Sequence, residues 1–330
     1  MAKTKRASFT TKPPWYKTHW DMIVFLVLIG IFILLVPGQN VYTMDLLSEV
    51  PKVRSISINI PTPAPYPTNV TGTYPGSEVT ATGVVVLDVN SGVFMYRRNP
   101  EEELSPASTT KILTAMVALD SYHLDDVVTV HTVTNDGQAM GLFSGEQMTV
   151  ENLLYGALVY SGNDAAYTLA EHYPGGVTSF VAAMNAKAEK LHLTHSSFTN
   201  PVGYDDPQHK TTPEDLARLA RVALENKEIA KIVAIPQITV SDVTHTYFYP
   251  LKNVNDLLGK IPGVAGIKTG WTEEAGENLV TLVSRGGHSV IIVVLHSDDR
   301  FGDTEKLIDW VFNSYRWVNY STQSLTTADT

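Results

Sequence analysis

At 330 residues, 44% hydrophobic and 18% charged, the chain can form one large domain or two smaller ones, and its composition excludes a disordered protein. The net charge of −10 is unevenly spread: residues 1–21 carry Lys3, Lys5, Arg6, Lys12 and Lys17 against Asp21 alone, leaving an acidic body with no footprint for nucleic acid. Cysteine is absent and the ten histidines show no metal-ligand spacing, so disulfide and thiolate chemistry are excluded and neither metal nor cofactor is assigned.

The basic arm, residues 1–21, is followed by "MIVFLVLIGIFILLV", Met22 to Val36, fifteen residues without a polar side chain. As a helix this run spans about 22 Å, short of a hydrocarbon core of about 30 Å. No small-x-small cleavage site follows it, and Trp15, Tyr16 and Trp20 stand where an aromatic belt would lie. Residues 22–37 are therefore expected to be an uncleaved single-pass membrane anchor, with the N-terminus cytoplasmic and the body outside the cell membrane. A cleaved signal peptide is the alternative. Residues 38–79 follow as a linker in which six prolines, centred on "IPTPAPYPT", predict an extended spacer. Within it "SISINI" alternates like a short strand without an evident partner.

A folded domain is expected over 80–318, with a polar tail at 319–330. "GVVVLDVNSGVFMYRRN" reads as a hairpin turning at Asn90-Ser91-Gly92. In "LSPASTTKILTAMVALD", residues Ile112, Ala115, Met116 and Leu119 recur at helical spacing, with Ser108 just ahead of them. Ser108 can be read as a helix cap or as a nucleophile. "TVENLLYGALVY" predicts a buried helix capped by Thr149, and "TSFVAAMNAKAEKL" and "TPEDLARLARVALE" predict two more. Strands return in "ENLVTLVSRGGHSVIIVVLHS", and "DTEKLIDWVFNSY" predicts a closing helix. Strands at both ends with helices between them predict an α/β (α+β) fold with one sheet and an inserted helical subdomain.

Three short motifs occur in order: Ser108-x-x-Lys111, Ser161-Gly162-Asn163 and Lys268-Thr269-Gly270. A serine hydroxyl needs a base within hydrogen-bond reach. Lys111 lies on the same helical face at i+3 and serves only if neutral, which burial and a nearby cation such as Lys268 promote. Lys268 can also hold a substrate carboxylate, with a hydrogen bond from the Thr269 hydroxyl. Ser161 can relay a proton to the leaving amine, Asn163 can orient Lys111 and the substrate amide, and backbone N–H groups can stabilise the oxyanion.

On these motifs the chain resembles the serine-type D-alanyl-D-alanine carboxypeptidases, the low-molecular-mass penicillin-binding proteins. The likeness runs from about Thr80 to Tyr315 through "ASTTKILTAMVAL", "LLYGALVYSGNDAA", "TNPVGYDDPQHKTTPEDLARLARVAL", "GVAGIKTGWTEEAG" and "RFGDTEKLIDWVF". The resemblance implies a β-lactamase/D,D-peptidase-like fold, a five-stranded antiparallel sheet flanked by helices. It implies Ser108 as acylated nucleophile, Lys111 as base, and Ser161 and Asn163 as the second catalytic motif. Lys268, Thr269 and Gly270 become substrate-binding, with the backbone N–H of Trp271 as an oxyanion donor. The implied partners are peptidoglycan stem peptides ending in D-Ala-D-Ala, with β-lactam antibiotics as inhibitors. Many members add a C-terminal β-rich domain and a C-terminal amphipathic helix; here the expected domain is followed by "STQSLTTADT" instead.

A class A β-lactamase would need a glutamate in a Glu-x-x-Leu-Asn pattern, which Glu171, Glu189, Glu214, Glu225 and Glu228 all lack. A D,D-endopeptidase acting on cross-links is the nearest enzymatic alternative. A non-catalytic peptidoglycan-binding protein is disfavoured by the intact motifs.

Overall fold

The computed structural model describes residues 15–35, 64–134 and 136–319 and divides the chain into two units, Met1–Ile60 and Pro61–Thr330. In the first unit, helix α1 (Trp15–Leu35) exposes its large apolar side chains from Met22 onward. Among the described residues no helix is long and apolar enough to cross a membrane. The wholly apolar part of α1 spans about 21 Å at 1.5 Å per residue. The expected linker strand "SISINI" and nearly all of the expected tail lie outside the described residues.

The second unit is built on a five-stranded antiparallel sheet, in the order β3 (Phe94–Arg98), β2 (Gly83–Asp88), β10 (His288–Ser297), β9 (Gly276–Arg285) and β8 (Val264–Thr272). Successive strand side chains alternate between faces. Val85 and Leu87 of β2, with Ile291, Val293 and Leu295 of β10, therefore enter one core, while Val84, Val86, Val290, Ile292 and Val294 enter another. Both faces are covered, which is why these strands read as unbroken apolar runs.

The larger core lies against the helical insertion: α2 (Lys111–Ser121), α3 (Val150–Leu158), α4 (Asn163–Glu171), α5 (Gly176–Lys190), α6 (Pro213–Ala223) and α7 (Lys227–Val233), accompanied by two antiparallel ribbons, β4 (Val127–Thr129) with β5 (Gln147–Thr149) and β6 (Gln237–Ser241) with β7 (Phe248–Lys252). The smaller core is closed by α8 (Arg300–Ser314), through Leu307, Ile308 and Val311. Thr149 caps α3 as expected, its hydroxyl accepting from Asn152 N–H at 3.2 Å, and Thr212 caps α6 in the same way. The hairpin turn after β2 is held by Asp88, which accepts from Ser91 N–H and Oγ–H.

The folded body begins earlier than the expected Thr80. Strand β1 (Tyr66–Asn69) pairs antiparallel with β11 (Tyr315–Val318), and Val79 is buried in the smaller core. Proline-rich composition concealed this strand. Pro67 lies in a two-stranded ribbon, where a residue without an N–H is tolerated at an edge.

Candidate active site

Ser108 does not cap α2. It sits in a preceding 3₁₀ turn, Ala107–Thr110, and no side chain caps either that turn or α2. The turn packs against strand β8, which among the described residues is an edge strand of the sheet. Gly270 makes this approach possible: a Cβ there would lie 2.9 Å from Pro106 O and 3.2 Å from Ser108 N. Ala107 and Ser161 both hold positive φ, 47° and 65°, a strained backbone for residues with side chains.

Lys111 has no exposed surface, yet its Nζ reaches three oxygens: Ser108 Oγ at 2.7 Å, Asn163 Oδ1 at 2.7 Å and the Val202 carbonyl at 2.9 Å. Asn163 cannot present its amide the other way, because its Nδ2 donates to Asp136 O at 2.7 Å. Two of the three oxygens are thus pure acceptors. A neutral amine has two N–H groups and one lone pair, so those acceptors take both protons and the lone pair is left for the Ser108 hydroxyl. Burial, then the charge of Lys268, hold the Lys111 pKa well below its ordinary value, against an opposing pull from Asp164.

Lys268 is equally buried, and its Nζ donates to Ser161 Oγ at 2.8 Å and to Thr269 O at 3.0 Å. Burial and, secondarily, Arg300 bring its pKa down to about 7. Each motif lysine is therefore paired with one motif serine beneath a cavity of about 580 Å³. Ser108, Ser161, Asn163, Thr269, Gly270 and Trp271 line that cavity, whereas Lys111 and Lys268 lie under its floor.

The sequence reading missed several lining residues. Arg300, at the start of α8, lines the cavity and donates from Nη1 to Gly270 O at 3.0 Å, while its buried Nε has no partner. It stands thirty residues beyond Gly270, and no motif links the two. Asp136, Gly137 and Gln138 form one wall, and Val202, Gly203 and Tyr204 another. The second wall is shaped by Asn200, whose Oδ1 accepts from the N–H groups of Val202, Gly203 and Tyr204. The "NPVGY" stretch was legible only as part of a resemblance. Among the lining residues the one glutamate is Glu273, and none of the five weighed for β-lactamase chemistry is present.

A serine peptidase of the D,D-peptidase type is the class that this fold and these paired serines and lysines define. The model of the Peptidase S11 family, D-alanyl-D-alanine carboxypeptidase, matches residues 68–299, and the chain belongs to that family. It is 33% identical over 245 residues to the D-alanyl-D-alanine carboxypeptidase DacF of Bacillus subtilis, covering 71% of this chain and 63% of that protein. It is 34% identical to a D-alanyl-D-alanine endopeptidase of Pseudomonas aeruginosa, covering 71% and 78%. The crystal structure of the Streptomyces K15 DD-transpeptidase is similar at TM-score 0.69 and 34% identity, covering 73% of this chain and 99% of that one. Penicillin-binding protein D2 of Listeria monocytogenes, in an ampicillin-bound form, is similar at TM-score 0.65 and 30% identity, covering 72% and 100%. The chain thus has the D,D-peptidase fold, and it spans less than two thirds of its Bacillus relative.

Proposed function

We propose that the protein is a serine-type D-Ala-D-Ala carboxypeptidase that removes the terminal D-alanine from peptidoglycan stem pentapeptides and is acylated by penicillin. The observation that carries this reading is the environment of Lys111, whose two acceptor oxygens direct its lone pair at Ser108. Ser108 Oγ attacks the carbonyl carbon of the penultimate D-alanine as Lys111 takes its proton. The oxyanion is assigned to the N–H groups of Ser108 and Trp271; Gly270, the residue before Trp271, packs against Ser108 N where β8 meets the 3₁₀ turn. The C–N bond then breaks as the proton held by Lys111 is relayed through Ser161, itself held by Lys268, to the departing amine, which leaves Lys111 neutral again. Water hydrolyses the ester and frees Ser108.

The terminal carboxylate falls to Arg300 and Thr269, which line the cavity, rather than to Lys268 beneath it. A guanidinium suits a carboxylate geometrically. A carboxylate reader in the cavity suits a leaving residue with a free α-carboxylate, which a terminal D-alanine supplies. The test is incubation of residues 64–330 with a pentapeptide ending in D-Ala-D-Ala and with a cross-linked dimer. Release of D-alanine is expected, and dimer cleavage without it transfers the assignment to the endopeptidase.

We further propose that α1 anchors the body outside the cell membrane with the basic arm in the cytoplasm. The apolar run from Met22, its exposed side chains, and five cations before it support this. N-terminal sequencing of the envelope protein checks it: a new terminus near residues 38–45 makes α1 a cleaved signal.

A further inference from the structure

The residue after Asn163 is an aspartate that the chemistry above does not use. Asp164 is 1% exposed. Its carboxylate accepts from the backbone N–H groups of Met140 at 2.9 Å, Gly141 at 2.8 Å, Leu142 at 3.1 Å and Ala165 at 2.9 Å. Three of these belong to one loop, and that loop is also gripped by Asn163. Asn163 N–H donates to Gln138 O at 2.7 Å and its Nδ2 to Asp136 O at 2.7 Å. Two consecutive residues at the start of α4 thus hold both ends of the segment 136–142, whose first part is a wall of the cavity.

This matters because the two ends of an amide are nearly isosteric. Asn163 offers Oδ1 to Lys111 only while Asp136 O holds Nδ2. A flipped amide would present an N–H to Lys111, occupy the lone pair and compete with the Ser108 hydroxyl. Whatever fixes the Asp136 carbonyl therefore fixes the direction of the base.

We propose that Asp164 is a positioning residue for the base: by clamping residues 140–142 it holds the Asp136 carbonyl against Asn163 and keeps Asn163 Oδ1 turned to Lys111. The inference rests on the reading of Lys111 as the base that activates Ser108. It also gives the aspartate in "SGND" a role that differs from capping. Its oxygens serve a neighbouring loop as well as the first turn of its own helix.

The test uses the full chain and Asp164→Asn. An amide there turns an N–H₂ toward loop N–H groups and breaks part of the clamp. Acylation by labelled penicillin should fall at least about tenfold, while the protein remains folded by circular dichroism. The amides of Met140, Gly141 and Leu142 should exchange faster with solvent. A third readout separates positioning from general support. The charges acting on Lys111 are Lys268 from β8 and Asp164 from α4, and removing the anion leaves the repulsion unopposed. The acid limb of acylation should therefore move to lower pH, which a loss of fold stability alone would not produce. A folded variant that acylates at the wild-type rate, or whose acid limb stays in place, overturns the proposal. If the variant fails to fold, the wild-type protein decides: exchange at residues 140–142 as fast as in its exposed loops overturns the clamp, and slow exchange supports it. A wild-type protein that penicillin does not acylate refutes the functional reading instead, and the exchange measurement still judges the clamp.

Discussion

Gly203 and Ala107 meet backbone to backbone: a side chain at Gly203 would overlap the Ala107 carbonyl, and Gly203 holds φ at +94°. Two walls of the cavity are joined at this contact, one ending in Ser108 and the other supplying the Val202 carbonyl to Lys111. Gly203→Ala is expected to cost about 1–3 kcal/mol of stability. Because the overlap pushes on the residue before Ser108, acylation should drop by about a hundredfold even where the variant is folded. Thermal melts and penicillin-labelling rates measure the two effects separately.

The proposed reading gives Arg300, which lines the cavity, the carboxylate role that the motif reading gave to Lys268, and leaves Lys268 to Ser161. Arg300→Gln should slow release from a substrate with a free C-terminal carboxylate by about tenfold or more, and affect a C-terminally amidated analogue much less. Lys268→Gln should hurt both substrates alike, because its Nζ serves Ser161. Steady-state kinetics on the paired substrates checks this. Selectivity loss in Lys268→Gln, with none in Arg300→Gln, would return the carboxylate to Lys268.

The same lysine sets a pH dependence. Lys111 is active as a base when neutral, so activity should rise as pH climbs through its depressed pKa. Lys268 helps to lower that pKa by repulsion. Lys268→Gln removes the repulsion and should shift the acid limb of acylation to higher pH, the direction opposite to that expected for Asp164→Asn. Penicillin acylation rates followed from pH 5 to pH 10 read the shift directly.

His209 ties the site together from below. Its Nδ1 accepts from Thr199 N–H at 3.0 Å, which leaves the proton on Nε2 for Thr110 Oγ1 at 2.8 Å. The ring is fully buried, and burial brings its pKa down to about 4, against the pull of Asp206 and Asp205. Below pH 6.5 the unfolded chain takes up a proton that the folded one refuses until pH 4. This group should therefore cost about 3 kcal/mol of stability as pH falls across that window. Denaturant titrations at pH 7 and pH 4.5 should differ less in His209→Gln than in the wild type.

The pairing of β1 with β11 sets the practical start of the catalytic body. A chain beginning at residue 64 retains the strand Tyr66–Asn69 and buried Val79, and should melt several degrees above one beginning at residue 80. Equal melting temperatures would show the ribbon to be dispensable.

Much of this protein was legible before its structure. The apolar runs of β2, β9 and β10 marked strands at both ends of the domain, and the runs in β2 and β10 are unbroken because both faces of the sheet are buried. Thr149 marked a helix start, since a hydroxyl ahead of an apolar stripe satisfies free N–H groups. Ser108, Lys111, Ser161, Asn163 and Lys268 stood out because their spacing is local and their chemistry is restrictive. The strand at Tyr66 did not, because prolines signal a spacer and its partner lies about 250 residues away.

Which residues face the cavity was decided by tertiary structure alone. Lys268 and Arg300 are both cations near the same strand, and composition cannot say which one is buried under a serine and which one lines the cavity. Asp164 is one acid among thirty-four until the loop at 140–142 folds back over it. The Val202 carbonyl has no side-chain signature at all, yet it accepts a hydrogen bond from Lys111 Nζ. Local sequence sets propensity and spacing, which act over a few residues. Burial, desolvation and hydrogen-bond direction depend on neighbours brought in from distant parts of the chain, and these decide whether a lysine is a surface cation or a base.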